Sequence, residues 1–131
     1  VLYMLKNRDV KNTSISIDEA INRGSKFLIK NELYSMRENY YEINDHTITI
    51  NYAYVENGIT MYPDLIKLKI ALDNGEILAM ESQGYIMAHE TGRQLNEVSI
   101  PIETARNLVN KNIKIAEYFN RSIWNSKFWF M

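Results

Sequence analysis

The side chains that could do chemistry in this cysteine-free chain are two histidines, His46 and His89, and a set of carboxylates. A zinc site needs three or four His, Cys or carboxylate ligands. His89 has only Glu90 beside it, and adjacent residues of a strand point to opposite faces. His46 falls in a predicted turn. The sequence therefore predicts no metal site and no cofactor.

Paired carboxylates are the second kind of chemistry to consider, because glycoside cleavage uses two carboxyl groups about 5–10 Å apart in a cleft. Glu38 and Glu42 are expected on one face of a strand, Asp64 is nearby in sequence, and Asp73 and Glu76 flank a predicted turn. No pattern indicates a cleft, so solvation at the surface is the simpler interpretation. Phosphate-binding loops, nucleophile elbows and Ser/His/Asp patterns are missing. We predict no catalytic residues and no enzyme activity.

Bulk properties exclude several partners. A net charge of −1 gives no electrostatic reason to expect nucleic acid or an anionic membrane surface. No apolar run approaches the roughly 20 residues that span a bilayer. A length of 131 residues suits one domain, or one and a part.

Tyrosines are the more informative side chains, because they combine large contact area with a polar tip and are enriched at interfaces. The alternative is that they are ordinary strand residues with high β propensity. Likewise, Tyr62-Pro63-Asp64 either shapes a contact surface or marks the strand break that proline imposes. The predicted partner-binding residues are Tyr52, Tyr54, Tyr62, Pro63, Asp64 and Tyr85.

The elements that must position these residues follow from periodicity. Ser16 and Glu19 form a capping-box pattern before an amphipathic helix predicted over Ile17–Lys30. Strands are predicted at 36–43, 46–55, 59–72 and 76–87, with Asn57-Gly58 and Asn74-Gly75 as hairpin signals. Pro63 predicts a bulge or an edge position within the third strand.

The second hairpin also predicts a register. A three-residue loop over Asp73-Asn74-Gly75, with Gly75 left-handed, keeps one apolar face by placing Leu68 opposite Met80 and Ile70 opposite Leu78. The fold class is therefore α+β, with one helix packed on a four-stranded antiparallel sheet.

The helix-then-strands order recurs. The pattern Ile17-Asp18-Glu19-Ala20 returns as Ile102-Glu103-Thr104-Ala105, where Pro101 suits the first turn of a second helix. Strand candidates follow at 113–119 and 127–131. We therefore predict that residues 1–13 are the closing strand and linker of a preceding repeat, 14–90 one module, and 91–131 a connector and the opening of a second, truncated module.

A helix followed by a meander with a Leu-Asp-x-Gly-Glu-Ile turn resembles the PepSY domain family, in its tandem form in spore-germination proteins. The resemblance is carried by Tyr40-Tyr41-Glu42, Ala53-Tyr54-Val55, YPDLIKLK from Tyr62, ALDNGEI from Ala71, and Gly84-Tyr85. It covers nearly the whole chain, more loosely over the final 30 residues.

The resemblance implies a non-catalytic module on the extracytoplasmic side of the spore inner membrane or in the cortex, with a membrane anchor outside these residues. It implies a cortex-lytic peptidoglycan hydrolase as the partner, which the module stabilises, inhibits, or both. The alternative is an enzyme or ligand-binding domain acting on peptidoglycan fragments. Self-association through exposed edge strands is a further expectation.

Overall fold

The computed structural model describes residues 2–95 and 99–109. The chain divides into two compact units, Val1–His89 and Glu90–Met131. The first unit contains a five-stranded antiparallel sheet and two helices. The strand candidates at 113–119 and 127–131 lie outside the described residues, and the predicted repeat boundaries stay a prediction.

The sheet has the order β1-β5-β4-β3-β2, so its last four strands form a meander. The bounds of the strands are β1 Tyr3–Leu5, β2 Met36–Asn44, β3 Thr47–Glu56, β4 Ile59–Ala71 and β5 Ile77–Glu81. The predicted α+β class is confirmed. The sheet has one strand more than predicted, because β1 pairs with β5 and places Met4 opposite Met80.

Helix α1 spans Ile17–Lys30, as the periodicity predicts. The Ser16 hydroxyl accepts a hydrogen bond from the Glu19 amide at 3.1 Å, which is the first half of the predicted capping box. The Glu19 carboxylate instead accepts hydrogen bonds from Arg23, at 3.0 Å from Nε and 2.7 Å from Nη2. The helix therefore begins at its predicted cap, with an ion pair one turn further on.

The core lies between α1 and one face of the sheet. Ala20 and Leu28 of α1 are buried against alternate residues of the two central strands. Direct pairing across the sheet keeps each pair on the same face. The buried pairs are Ile48 with Ile70, Ile50 with Leu68, and Tyr52 with Ile66.

Both predicted hairpins are present. Asn57 and Gly58 have φ values of 50° and 79°, which is the geometry of a two-residue turn that matches strand twist. Gly75 is left-handed at φ 74°, and Leu68 pairs with Met80 as predicted. Ile70, however, pairs with Ile77 and not with Leu78, because the register shifts between Lys69 and Ile70.

The predicted strand over 76–87 is wrong in its second half. Strand β5 ends at Glu81, opposite Lys67, and residues Gln83–Ala88 form a short helix, α2, that packs against β4. Strand β4 is bulged between Met61 and Leu65, because Ala53 of β3 pairs with Leu65 while the next residue of β3, Tyr54, pairs with Met61. A bulge containing a proline offers no regular ladder for β5 to extend, so the chain leaves the sheet there.

In the second unit, the described residues contain helix α3, Ile102–Leu108. Its presence confirms the predicted second helix, with Pro101 at the N-cap position, one residue before the helix. Four apolar residues at helical spacing in this segment are all exposed: Ile102, Ala105, Leu108 and Val109.

Candidate functional site

Tyr52, the first of the predicted partner-binding tyrosines, is fully buried under α1. Its hydroxyl donates a hydrogen bond to the Ile21 carbonyl oxygen at 2.9 Å. Burial raises the pKa of Tyr52 to about 12. The structure therefore places Tyr52 in the core, where it has no surface to offer a partner, because it shares the inward face of β3 with Ile48 and Ile50.

Tyr62-Pro63-Asp64 forms the bulge of β4. Tyr62 is 54% exposed and Pro63 is also exposed, whereas Asp64 has no exposed surface. The predicted bulge is confirmed. Because β5 pairs with Lys67–Ile70 of β4 and ends there, Pro63 also lies at a local edge of the described sheet. Two of the three motif residues thus face solvent, while the third points into the protein.

The buried carboxylate of Asp64 contacts the last residue of the first unit. Asp64 Oδ2 lies 2.8 Å from His89 Nδ1, and the His89 side chain is 17% exposed. Burying a carboxylate is costly unless it is paired and hydrogen-bonded. Because His89 is the C-cap residue of α2, this contact ties the end of the helix to the bulge of β4.

Two tyrosines from the predicted set complete this cluster. Tyr85 stacks on the His89 ring, with 4.2 Å between centroids and 15° between planes. Tyr54 meets the same ring edge-on at 4.6 Å and 81°. Burial, with the nearby charges of Tyr54 and Asp64, raises the pKa of Tyr85. Tyr54, Asp64, Tyr85 and His89 therefore form one cluster, called here the His89 cluster.

Helix α2 also approaches the bulge through its backbone. A Cβ atom added at Gly84 would lie 2.9 Å from the Pro63 carbonyl oxygen, so only glycine permits this close contact. Pro63 thus interrupts the regular strand pairing of β4, and Gly84 allows α2 to pack closely against the bulge, in the place where β5 would otherwise continue.

Beside α2 lies an apolar groove with a cavity volume of about 330 Å³. The residues on its α2 side are Tyr85 and Ile86, of which Ile86 is 52% exposed, and the adjacent Met87 is 79% exposed. The sequence prediction missed this groove, because it assigned a strand to residues 85–87. The other lining residues come from α1, β1, β5 and the turns between them: Met4, Phe27, Asn31, Leu33, Met80 and Ser82.

The carboxylates considered for catalysis are separated or already engaged. A bulge between Glu38 and Tyr40 places Glu38 opposite Tyr52 and Glu42 opposite Thr49. The two glutamates therefore lie on opposite faces of the sheet, which corrects the expectation that they share one.

Asp73 and Glu76 hold the chain that precedes α1. Arg8 binds Asp73 through two hydrogen bonds of 2.7 Å, and Lys6 lies 2.9 Å from Glu76. Arg8 holds the pKa of Asp73 below its usual value, and Lys6 does the same for Glu76. His46, in the turn after β2, contacts the Thr13 hydroxyl at 3.0 Å. Among the described residues, no three His, Asp or Glu side chains gather in a way that could hold a metal ion.

Comparison with known proteins identifies the family. Residues 1–96 match the family described as "YpeB sporulation, PepSY1 and PepSY2 domains". The chain belongs to the YpeB sporulation family. The resemblance to tandem PepSY proteins is thereby confirmed.

Curated relatives support the assignment. The chain is 31% identical over 118 residues to sporulation protein YpeB of Bacillus subtilis strain 168, and 31% identical over 116 residues to that of Oceanobacillus iheyensis. Each match covers 88% of this chain and 26% of the relative, so the chain spans about a quarter of the length of these YpeB proteins. The solved "Bacillus megaterium YpeB C-terminal domain" has a TM-score of 0.74 and 28% identity, covering 88% of this chain and 51% of that one.

The structural match confirms a PepSY-like fold, and the matched family is described as one of sporulation proteins. In the described residues no helix combines the length and apolar character needed to span a membrane. The partner-binding role of the exposed tyrosines stays a prediction.

Proposed function

We propose that this chain is a non-catalytic binding module of a spore-germination protein, which stabilises, inhibits, or both, a cortex-lytic peptidoglycan hydrolase. The observation that carries the proposal is membership of the YpeB family across residues 1–96. In this proposal the module acts on the extracytoplasmic side of the spore inner membrane or within the cortex.

The contacts made by two acidic side chains support a binding role and not a catalytic one. Asp64 is committed to His89, and Asp73 to Arg8 through a two-bonded ion pair. A catalytic acid or base has to reach the proton that it transfers. Asp64 is fully buried, so it serves packing and not proton exchange with a substrate.

The experiment compares two activities of the purified 131-residue chain. Incubated with cortex peptidoglycan alone, it should release no reducing ends or muropeptides. Added to a purified cortex-lytic hydrolase, it should bind in a pull-down and either lower the rate of muropeptide release or lengthen the lifetime of the hydrolase against heat. Muropeptide release by the chain alone that persists through repeated purification would replace the binding function with an enzymatic one.

A further inference from the structure

The groove beside α2 has the composition of an interface core. No charged side chain lines it, and α2 itself, with the sequence QGYIMA, carries no charge. The cores of protein–protein interfaces are depleted of charged residues and enriched in aromatic residues and methionine. Among the lining residues, Phe27 and Tyr85 are aromatic, and Met4 and Met80 are methionines.

The size of the groove limits what can enter it. A cavity of about 330 Å³ is at the lower end of the roughly 300–1,000 Å³ typical of ligand pockets. It has room for one or two inserted side chains and not for a whole secondary-structure element. Since the lining is apolar, a large apolar side chain is the occupant that gains most by entering.

Two exposed lysines of α1, Lys26 and Lys30, lie beside the groove-lining side of the helix. Phe27 lines the groove, and Lys30 lies three residues after it, so these two side chains are neighbours on the helix surface. Lys26 lies one turn before Lys30. Both are exposed, and neither forms an ion pair with another residue in the part of the chain that the structure describes. This basic edge complements a carboxylate on the segment that enters.

We propose that the α2 groove is the docking site for a segment of the hydrolase in which a large apolar side chain is flanked by an acidic residue. The apolar side chain enters between Phe27 and Ile86, and the acidic residue meets Lys26 and Lys30. This inference rests on the proposed function, because it assigns the surface through which that function operates.

The matched pair of variants is Ile86→Ser and Ile29→Ser. The two isoleucines are similarly exposed, at 52% and 57%, but only Ile86 lines the groove. Binding of the 131-residue chain to the purified hydrolase is measured by calorimetry. Ile86→Ser should weaken binding by about tenfold or more, as for other anchor residues in interface pockets, whereas Ile29→Ser should leave it within about twofold. Met87→Ser, at a site 79% exposed, repeats the test where a folding defect is not expected.

The lysines are tested by charge reversal. Lys30→Glu should weaken binding and remove most of its dependence on salt, because rim charges act on association rate through long-range attraction. Lys69→Glu is the control, since Lys69 is exposed on β4 and does not line the groove.

The outcomes separate the two proposals. If the unmodified chain does not bind the hydrolase, the proposed function fails. If the unmodified chain binds, and Ile86→Ser and Met87→Ser are folded by circular dichroism and bind as tightly as the unmodified chain, the hydrolase uses another surface and the docking site is overturned. Self-association of the unmodified chain that is lost in Ile86→Ser, with hydrolase binding intact, would assign the groove to a second copy and likewise overturn it.

Discussion

The contact between Gly24 of α1 and Tyr52 of β3 provides a sharp test of how the helix sits on the sheet. A Cβ atom added at Gly24 would overlap the Tyr52 hydroxyl and lie 2.9 Å from its Cζ atom. Alanine gains about 1 kcal/mol over glycine in a helix. Overpacking costs about 1–3 kcal/mol, and loss of the bond from Tyr52 to Ile21 about 1 more. Gly24→Ala should therefore lower the free energy of unfolding by about 1–3 kcal/mol.

Urea unfolding followed by circular dichroism measures this cost, and a double-mutant cycle shows where it arises. Tyr52→Phe alone should lose about 1 kcal/mol with its hydrogen bond. In that background the overlapping hydroxyl is gone, so Gly24→Ala should become less costly by about 1 kcal/mol. Asn22→Ala, exposed on the same helix, is the propensity control and should not destabilise. Additive effects, within about 0.3–0.5 kcal/mol, would refute the packing described here.

The free energy of unfolding at alkaline pH provides a second test of the burial of Tyr52. Its pKa is raised from 10.0 to about 12, because burial disfavours the charged phenolate. The folded state therefore keeps a proton that the unfolded chain releases. The resulting stability is fully present below pH 10 and is lost as the pH rises toward 12. Tyr52→Phe should flatten the fall in unfolding free energy over this range, and an unchanged slope would contradict the burial.

Three further expectations concern other parts of the fold. Leu28→Ala should cost about 2–4 kcal/mol in urea unfolding because Leu28 is fully packed, whereas Ile29→Ala, at a position 57% exposed, should change stability by less than about 0.5 kcal/mol. The lowered pKa of Asp73 contributes stability that is present above the usual carboxyl value of 3.8 and lost as the pH falls below it, so Arg8→Gln should reduce the acid sensitivity of unfolding. His89→Gln should increase the rate of amide hydrogen exchange in α2 by at least about tenfold while leaving α1 protected. Equal exchange rates in the variant and the unmodified chain would show that the contact of His89 with the buried carboxylate of Asp64 does not hold α2.

Local signals explain why much of the fold was predictable from the sequence. The cap at Ser16, the stripe of α1 and the two Asn-Gly hairpins are set by residues close in sequence. Alternation along β3 placed Ile48, Ile50 and Tyr52 on one face, and the structure buries all three. The alternation does not show that α1 covers this face of the sheet completely. Tyr52 is therefore predicted as a partner-binding residue from the sequence, although it belongs to the core.

The features that were missed depend on contacts between distant residues. A short apolar run such as Tyr85-Ile86-Met87 is compatible with either a strand or a helix, and periodicity alone does not decide between them. In the structure these residues form α2, whose C-cap residue His89 contacts Asp64, 25 residues earlier in the chain. Likewise, Glu38 and Glu42 would share a face in a regular strand, but the bulge beside Tyr40 separates them.

These contacts give Pro63 and Asp64 of the Tyr62-Pro63-Asp64 motif a structural role, while the partner contact predicted for the exposed residues of the motif stays a prediction. Pro63 ends the regular ladder, Asp64 holds His89, and the Pro63 carbonyl receives the backbone of Gly84. Each contact fixes α2, and α2 presents Ile86 and Met87 beside the groove. Pro63 and Asp64 therefore support the proposed docking surface indirectly, by holding α2 in position. It follows that Asp64→Asn should weaken hydrolase binding in proportion to its loosening of α2, and that a variant with α2 intact but Ile86 truncated should separate the two effects.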